Sequence, residues 1–430
     1  MNFIISACLA PLTLAAMQDG ELIDRTYAFG NGRADGIPVA ATCLYADGAG
    51  YGFDLTPPPA DAGGACTADS AFFFSADLPE GDYDVTLLLG NPDHDAEITV
   101  RGESRRLLLE KIKTRKGAYS EQSFTVNIRG RRISADREVR LKPREVHKLS
   151  WDGKLTLELN GVHPGVRSIR IRRAEKPLTV FLCGNSTVVD QDNEPWCGWG
   201  QMIPRFFRQG ISFANYAESG EAANTFIAAG RLEKLLTQAK AGDYILVEFG
   251  HNDQKQKGEG KGAWLSYTQN LRTFIAEARR RGMKPVLLTP VSRRTFDESG
   301  KIVNSHGDYP DAVRKLAADE NVPLIDLHKM TAILYEAWGR EASKKAFVHY
   351  PAGTFPGQAA ALEDDTHFNA YGGYEVAKCV VEGIRENRLA DILQLLRPDY
   401  APFDPKQPDE VERFSLPLSP FTEVEKPEGN

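Results

Sequence analysis

The sequence is poor in cysteine, carries no excess of positive charge and has no long apolar run beyond its first residues. Its six cysteines form no CxxC pair and show no Cys/His spacing of a zinc site, so neither a metal nor a cofactor is expected. The spacing of Cys43 and Cys66 allows a disulfide in an oxidising compartment but does not assign one. A formal net charge of −7 gives no general attraction for nucleic acid. No segment after residue 19 is long and apolar enough to span a membrane.

One apolar stretch lies at the start of the chain. Residues 3–16 (FIISACLAPLTLAA) carry no charge, and a polar segment follows at once. This length is typical of the apolar part of a signal peptide, and "ISAC", which ends at Cys8, resembles a lipoprotein cleavage box. Residues 1–19 are therefore predicted to be a signal peptide or a lipoprotein signal. We expect an exported protein: periplasmic, at the cell surface or secreted by a bacterium, with a lipid anchor as the alternative to a free form.

Residues 20–175 carry the pattern of an all-β domain. Short alternating runs occur at 80–90, 96–102, 123–130, 154–161 and 166–174, and Gly, Asn, Asp and Pro turn signals divide them. No long amphipathic helical pattern interrupts them. This spacing of short strands predicts a β-sandwich.

From residue 176 onward, strand-like and helical patterns alternate. Apolar runs lie at 178–183, 211–217, 243–249, 284–289 and 322–327, and the clearest helical patterns lie at 225–240, 264–282, 310–320 and 371–388. The alternation predicts a parallel sheet covered by helices on both faces over 176–396. Residues 397–430 hold seven prolines and no periodic pattern. We expect this Pro-rich tail to run over the surface or to be partly disordered.

Polar residues recur where the predicted strands end, which is where ligands bind in such sheets. The groups that follow the first four strands, or precede the last long helix, are Gly184-Asn185-Ser186, Glu218-Ser219-Gly220-Glu221, Gly250-His251-Asn252-Asp253, Ser292-Arg293-Arg294 and Asp364-Asp365-Thr366-His367. Because the carboxyl ends of parallel strands meet at one edge, these groups are predicted to lie together.

Several of these residues have the chemistry of acyl transfer. Ser186 needs a base to become a nucleophile, His367 can be that base, and Asp364 can orient the imidazole. The N–H groups of Ser186 and Gly220 and the side-chain amide of Asn252 are candidate donors to an oxyanion. Taken singly, each has another interpretation: Gly-Asn-Ser is a common turn, Asp364 can cap a helix, and Asn252 can brace a turn. Their order at successive strand ends favours a catalytic site.

The blocks "GNSTV", "NYAESG", "GHNDQ" and "DDTHF" resemble the four sequence blocks of the SGNH (GDSL-like) hydrolase superfamily, and in particular its rhamnogalacturonan acetylesterase-like members. The resemblance implies a flavodoxin-like, three-layer αβα hydrolase domain at 176–396. It implies Ser186 as the nucleophile, His367 as the base and Asp364 as its orienting acid, with Ser186, Gly220 and Asn252 as the oxyanion hole. It also implies that 20–175 is a galactose-binding-like, jelly-roll-like ancillary domain, and that His251 supports its loop rather than reacting.

Asn185 is the departure from the family pattern, because Asp is usual at this place. Asparagine is nearly isosteric with aspartate and can still form the side-chain-to-backbone bonds of an Asx turn. It lacks the negative charge. We expect the structural function to be kept, since the base is supplied by Asp364 and His367.

The resemblance implies that the substrate is an acetylated pectic polysaccharide. Arg293 and Arg294 follow the fourth strand, where a guanidinium can hold a uronate carboxylate, and the alternative is a solvated loop. Trp199 and Trp196 can stack on sugar rings or pack in the core. The segment 97–148 has 15 Lys/Arg against 7 Asp/Glu, which indicates either a surface for an acidic glycan or the exposed face of several strands.

The leading hypothesis is an exported serine carbohydrate esterase that forms an acyl-enzyme on Ser186. One alternative is an SGNH esterase for another ester: acetylxylan, an acetylated sialic acid, or a short-chain lipid or thioester. Another is a glycan-binding protein whose hydrolase domain is catalytically weakened, which Asn185 and the sandwich suggest.

Overall fold

The computed structural model describes residues 23–30, 35–45 and 50–427, so the predicted signal at 1–19 lies outside the described residues. The described chain has an all-β part, whose last strand ends at Arg173, and an α/β part, whose first strand begins at Leu178. The predicted boundary between residues 175 and 176 falls in the connection between them.

The all-β part contributes two mainly antiparallel sheets to the described structure. Its strands are β1 (Asp24–Phe29), β2 (Ile37–Val39), β3 (Tyr51–Asp54), β4 (Ala60–Ala62), β5 (Ala65–Thr67), β6 (Phe72–Asp77), β7 (Gly81–Leu89), β8 (Ala96–Gly102), β9 (Arg106–Thr114), β10 (Ser120–Ile128), β11 (Lys154–Val162) and β12 (Gly165–Arg173). One sheet runs β3-β6-β11-β8-β9. The other runs β10-β7-β12-β1-β2, with β5 paired to β12 and β4 to β5.

The two sheets pack face to face through large apolar side chains. Alternate residues of β7, Tyr83, Val85 and Leu87, have no exposed surface, as the two-residue period of a strand requires. Phe29 on β1 meets Phe74 on β6 of the opposite sheet, with ring centroids 5.3 Å apart. The predicted β-sandwich is therefore confirmed.

The α/β part is built on a parallel sheet with strands β13 (Leu178–Cys183), β14 (Ile211–Asn215), β15 (Tyr244–Glu248), β16 (Lys284–Leu288) and β17 (Leu324–Ile325). They pair in the order β14-β13-β15-β16-β17, which is the flavodoxin-like order. The strands are nearly all buried, which explains their continuous apolar sequence. An antiparallel hairpin of β18 (Phe347–Tyr350) and β19 (Leu362–Phe368) completes the described strands.

Helices cover both faces of this sheet. They are α1 (Trp199–Met202), α2 (Ala223–Ala228), α3 (Arg231–Gln238), α4 (Thr268–Arg280), α5 (Tyr309–Asp319), α6 (Leu327–Ala342), α7 (Ala370–Glu386) and α8 (Ala390–Leu393). Leu182 on β13 packs in one core with Val380 of α7, whereas its neighbour Phe181 packs in another with Phe274 of α4. These two cores confirm the predicted three-layer αβα architecture.

Two helix predictions differ from the structure. The helix predicted at 225–240 is divided into α2 and α3 by Gly230, whose φ of +79° lies in the left-handed region that favours glycine and ends a helix. No helix was predicted at 327–342, where α6 lies. Its first turn is capped by the side chain of Asp326, which accepts a hydrogen bond from the N–H of Lys329.

Part of the basic segment 97–148 is buried against the α/β part. Arg105 pairs with Glu194 at 2.5 Å, and Arg106 Nε donates to Asp190 Oδ2 at 3.0 Å. Arg101, Arg105, Arg106 and Arg129 each expose 5% of their surface or less. For these buried residues both sequence interpretations were wrong, and Arg105 and Arg106 join the sandwich to the α/β part.

The Pro-rich tail runs over the surface, which is one of the two predictions made for it. We call residues 417–427 the strap. The carbonyl of Leu418 accepts a hydrogen bond from Asn160 of β11 at 2.9 Å. Two backbone hydrogen bonds then join the strap to Glu194 of the α/β part. The Glu194 N–H donates to Phe421 O, and the Glu423 N–H donates to Glu194 O, both at 2.9 Å. The strap therefore connects the sandwich to the α/β part.

The described residues bear on two questions raised by composition: a disulfide between Cys43 and Cys66, and a membrane-spanning segment. The thiol of Cys66 donates a hydrogen bond to Asp61 Oδ1 at 3.3 Å, and no disulfide joins it to Cys43. None of the helices in the described ranges has the length and apolar character to cross a bilayer.

Candidate active site

Ser186 lies in the turn that directly follows β13. Asn185 Oδ1 accepts hydrogen bonds from the N–H and the hydroxyl of Thr187, at 3.0 and 2.9 Å. The Asn185 carbonyl accepts from the N–H groups of Val188 and Val189, each at 3.0 Å. Ser186 is only 2% exposed in this conformation. The uncharged side chain at position 185 thus forms the Asx turn expected of it.

Glu248, the last residue of β15, adjoins this turn. Its Oε1 accepts from the Thr187 hydroxyl at 3.0 Å, and its Oε2 accepts from Trp199 Nε1 at 2.6 Å. Burial raises the pKa of the Glu248 carboxyl to about 7 although these hydrogen bonds oppose the shift. The Thr187 hydroxyl therefore links the titratable carboxyl of Glu248 to Asn185. Position 185 is the one at which the family usually has Asp.

Residues 218–221, which we call the oxyanion loop, follow β14. Gly220 has a φ of +79°, a conformation that a residue with a side chain rarely adopts. Gln191 Nε2 donates to both Ser186 O and Ser219 Oγ at 3.3 Å, which ties this loop to the nucleophile turn. Within the described part of the chain, the Gly220 N–H donates to no acceptor. This donor can therefore serve a ligand.

The loop after β15 supplies Asn252 and His251. Asn252 Nδ2 donates to the carbonyl of Glu221 at 3.0 Å, and its Oδ1 accepts from Lys255 Nζ at 3.2 Å. These contacts orient the amide and leave one N–H for another acceptor. His251 is 1% exposed, and burial, reinforced by nearby His306, holds the pKa of His251 well below its usual range. A neutral, buried imidazole fits the supporting function implied for it.

Asp364 and His367 lie on β19. His367 Nδ1 and Asp364 Oδ2 are 2.9 Å apart, and Asp364 Oδ1 accepts from the N–H groups of Thr366 and His367, each at 2.8 Å. Burial raises the pKa of the Asp364 carboxyl, but the hydrogen bond and charge of His367 outweigh it and hold the pKa below its usual range. Asn369, rather than Asp364, caps α7. The helix-cap interpretation of Asp364 is therefore wrong.

The segment that follows the nucleophile turn pairs with this strand. The Cys197 N–H donates to the carbonyl of Phe368 at 2.9 Å, and the Trp196 ring lies edge-on to His367 with centroids 5.6 Å apart. The strap contacts both, because Trp196 Nε1 donates to Glu423 O at 2.7 Å and Lys426 Nζ lies 3.1 Å from Asp364 Oδ2. The strap thus reaches the predicted acid of the site.

Two of the predicted substrate contacts are buried in other interactions. Arg294 is 7% exposed, and its guanidinium donates to Asp365 and Arg340 O at 2.6 Å and to Ser343 at 3.0 Å. Trp199 is 1% exposed and its N–H is bound to Glu248. A sugar needs an exposed ring face or a free guanidinium, so the prediction that these two residues bind substrate was wrong.

Arg293 remains a predicted substrate contact. It is partly buried at the rim, with Nη2 3.5 Å from the carbonyl of His251. Among the described residues it forms no ion pair with a carboxylate. Burial lowers the pKa of Arg293, while the charge of Asp364 raises it.

Glu248 and Lys426 were not predicted as site residues. The sequence carries one signal for Glu248, a single acidic residue inside the apolar strand "YILVEF". Lys426 has no such signal, because its position at Asp364 depends on the path of the whole tail.

Comparison with known proteins identifies the α/β part. Residues 182–374 match the model of the GDSL-like Lipase/Acylhydrolase family. Rhamnogalacturonan acetylesterase RhgT of Bacillus subtilis is 44% identical over 49% of this chain and 91% of its own length. The probable rhamnogalacturonan acetylesterase YesY of the same species is 35% identical over 48% of this chain and 92% of its own length. The crystal structure of Bacillus subtilis protein YxiM is 24% identical, covers 86% of this chain and 99% of its own, and has a TM-score of 0.47.

Proposed function

The chain belongs to the GDSL-like lipase/acylhydrolase (SGNH) family, and from this premise we propose that it is an exported serine esterase that removes O-acetyl groups from a pectic polysaccharide. As a family member it is a hydrolase of the SGNH type. The acetylated glycan comes from the names of two relatives that match nearly their whole length. Export rests on the signal-like sequence at 1–19.

The observation that carries this proposal is the hydrogen bond between Asp364 and His367, on a strand that pairs with the segment following the Ser186 turn. The carboxylate fixes the imidazole with Nδ1 toward Asp364, so Nε2 is the ring nitrogen that acts as the base. The nucleophile turn, the oxyanion loop and Asn252 follow β13, β14 and β15 of the parallel sheet, whereas Asp364 and His367 come from the separate β18–β19 hairpin. Such an arrangement supports acyl transfer.

In the proposed reaction, Ser186 Oγ attacks the carbonyl carbon of an acetyl group while His367 Nε2 takes its proton. The N–H groups of Ser186 and Gly220 and the free N–H of Asn252 bind the developing oxyanion, and each such donor contributes roughly 3 kcal/mol. When the intermediate collapses, the bond to the sugar oxygen breaks, and this oxygen takes the proton from His367 to leave as the sugar hydroxyl. Water then attacks the acetyl-Ser186 ester with His367 again as base, and acetate leaves.

Arg293 is the proposed contact for an acidic sugar. A guanidinium that is partly desolvated and has no carboxylate partner among the described residues suits a uronate. Such a contact would favour pectic substrates over neutral ones such as acetylxylan.

The test is acetate release by the full-length protein from acetylated pectin, acetylxylan, an acetylated sialic acid and short-chain lipid and thioester substrates, compared as kcat/KM. We expect acetylated pectin to be the best substrate and Ser186→Ala to abolish turnover. Faster turnover of lipid or thioester would overturn the glycan assignment. A serine-reactive fluorophosphonate should label the wild type and not Ser186→Ala; failure to label would support the weakened, glycan-binding alternative.

A further inference from the structure

The oxyanion loop is held by side chains of the sandwich. Residues 142–148, which we call the basic arm, follow the sandwich strand β10 and lie across the loop. Lys142 Nζ and Arg144 Nη2 donate to the carbonyl oxygen of Ser219 at 2.6 and 2.7 Å. Arg144 and Lys148 also pair with the Glu218 carboxylate at 2.7 and 3.0 Å. Three cations of one domain thus converge on two residues of the other.

The acceptor for these cations is ionised. Burial by itself raises the pKa of Glu218, but the charges of Lys148 and Arg144 outweigh it and lower the pKa to about 2. Lys148 is held between Glu218 and Asp192, both at 3.0 Å. Because these groups are largely shielded from water, the ion pairs restrain the loop more than exposed pairs would.

The contact at Ser219 acts directly on Gly220. The carbonyl of Ser219 and the N–H of Gly220 belong to one planar, trans peptide unit, so they point in opposite directions. Two cations that fix the carbonyl on the sandwich side therefore fix the N–H on the opposite side. They also polarise the amide, which makes its N–H a stronger donor.

We propose that the basic arm makes the sandwich part of the catalytic apparatus, with Lys142 and Arg144 as positioning residues for the Gly220 oxyanion donor. The inference rests on the proposed function, because it concerns the oxyanion formed in that reaction. It gives the sandwich a function other than glycan binding. About half of this chain accounts for 91% of the length of RhgT, which leaves that relative too little length for such a sandwich. The arm is thus a device added to the hydrolase fold.

The experiment compares Lys142→Met, Arg144→Gln and the double variant with Arg137→Gln. Arg137 lies in the same basic segment and forms a bidentate pair with Glu233 of α3 at 2.6 and 2.8 Å, away from the oxyanion loop. It therefore controls for the loss of one interdomain ion pair. The readouts are kcat and KM for 4-nitrophenyl acetate, the rate of fluorophosphonate labelling of Ser186, and Tm.

We expect each single arm variant to lower kcat about tenfold and the double variant about a hundredfold, with KM changed less than twofold. Labelling should slow in parallel, because phosphonylation also uses the oxyanion donors. Arg144→Lys should restore part of the activity. Arg137→Gln should keep the wild-type kcat and lose no more Tm than the arm variants, because the pair that it breaks is exposed.

The outcomes separate the two proposals. If the wild type is active, Ser186→Ala is inactive and the arm variants match Arg137→Gln in kcat, the basic arm has no positioning function and only this inference fails. If the wild type neither hydrolyses any ester nor reacts with the fluorophosphonate, the proposed function fails and the inference fails with it. If the double variant does not fold, the single variants, whose side chains are partly exposed, decide the question.

Discussion

The ammonium group of Lys426 lies 3.1 Å from Oδ2 of Asp364, the same oxygen that binds Nδ1 of His367 at 2.9 Å. The carboxylate of the proposed triad is therefore shared between an imidazole of the β18–β19 hairpin and a lysine of the strap. Both partners stabilise its ionised form. The two compete for one oxygen, so the charge of the strap bears on the electrostatics of the Asp364–His367 pair.

Lys426→Met is expected to shift the acid limb of the kcat/KM pH profile to higher pH. Without the ammonium, one of the two positive groups that hold the Asp364 carboxylate ionised is lost, so the Asp364–His367 pair takes up a proton at a higher pH. The shift should be less than about one pH unit, because Lys426 is 48% exposed and solvent screens its charge. Lys406→Met, an exposed lysine of the same tail, is the control. Identical profiles for both variants would show that Lys426 has no electrostatic effect on the pair.

Asp364→Asn is expected to lower kcat by about 10⁴-fold with little change in KM. The amide cannot stabilise the imidazolium and does not enforce the tautomer that presents Nε2 to the nucleophile. The adjacent Asp365 provides the control, since it binds Arg294 and His349 instead of His367. Asp365→Asn should stay within about threefold of the wild type. Comparable losses in both variants would assign Asp364 a structural function only.

Asn185→Asp should change kcat by less than about tenfold, equivalent to roughly 1.4 kcal/mol in the barrier. The Asx turn uses Oδ1, which aspartate retains, and Nδ2 of Asn185 has no hydrogen-bond partner among the described residues. Asn185→Ala removes the acceptor for Thr187 and should be the more damaging change. A larger loss in the Asp variant than in the Ala variant would mean that a second charge beside Glu248 is harmful.

Glu248→Gln should alter how stability depends on pH. Since burial raises the pKa of Glu248 to about 7, folding favours its protonated form; the contribution is full below the unfolded pKa near 4.5 and is lost as the pH rises through 7. Urea unfolding at several pH values measures this. Between pH 5 and 8 the wild type should lose roughly 2–3 kcal/mol more of its free energy of unfolding than the variant. Parallel curves would show that Glu248 is ionised throughout this range.

The sequence was sufficient for those parts of the site that local patterns encode. Asp364 and His367 are three residues apart, so their spacing predicted that one short segment supplies both, and the structure joins them by a hydrogen bond on β19. Ser186 follows the apolar strand β13 as predicted. Asn185 was also interpretable, because an Asx turn involves only neighbouring residues. The fold classes followed for the same reason, since each strand carries its own periodicity.

What sequence reasoning missed depends on contacts between distant segments. Asn160 and Leu418 are 258 positions apart, and no local pattern indicates that they meet. Trp199 was assigned to substrate binding with core packing as the alternative, and its buried ring and its hydrogen bond to Glu248 support the core packing. The segment 97–148 was interpreted from its charge alone, as a glycan surface or an exposed face. Its acidic partners Glu194 and Asp190 belong to the α/β part. Pairings of this kind follow from how two folded surfaces meet.

The path of the strap also has a consequence for biosynthesis. Domains fold as units in the order in which the ribosome makes them. The sandwich precedes the α/β part in the chain. The strap binds Asn160 of the sandwich and Asp364 of the α/β part, and it emerges from the ribosome after both. The sandwich and the sheet must therefore reach their mutual arrangement before the strap can lie across them. Delivery of Lys426 to Asp364 is accordingly a late event in maturation, and a chain shortened before residue 426 would keep both domains but lack the ammonium group at Asp364.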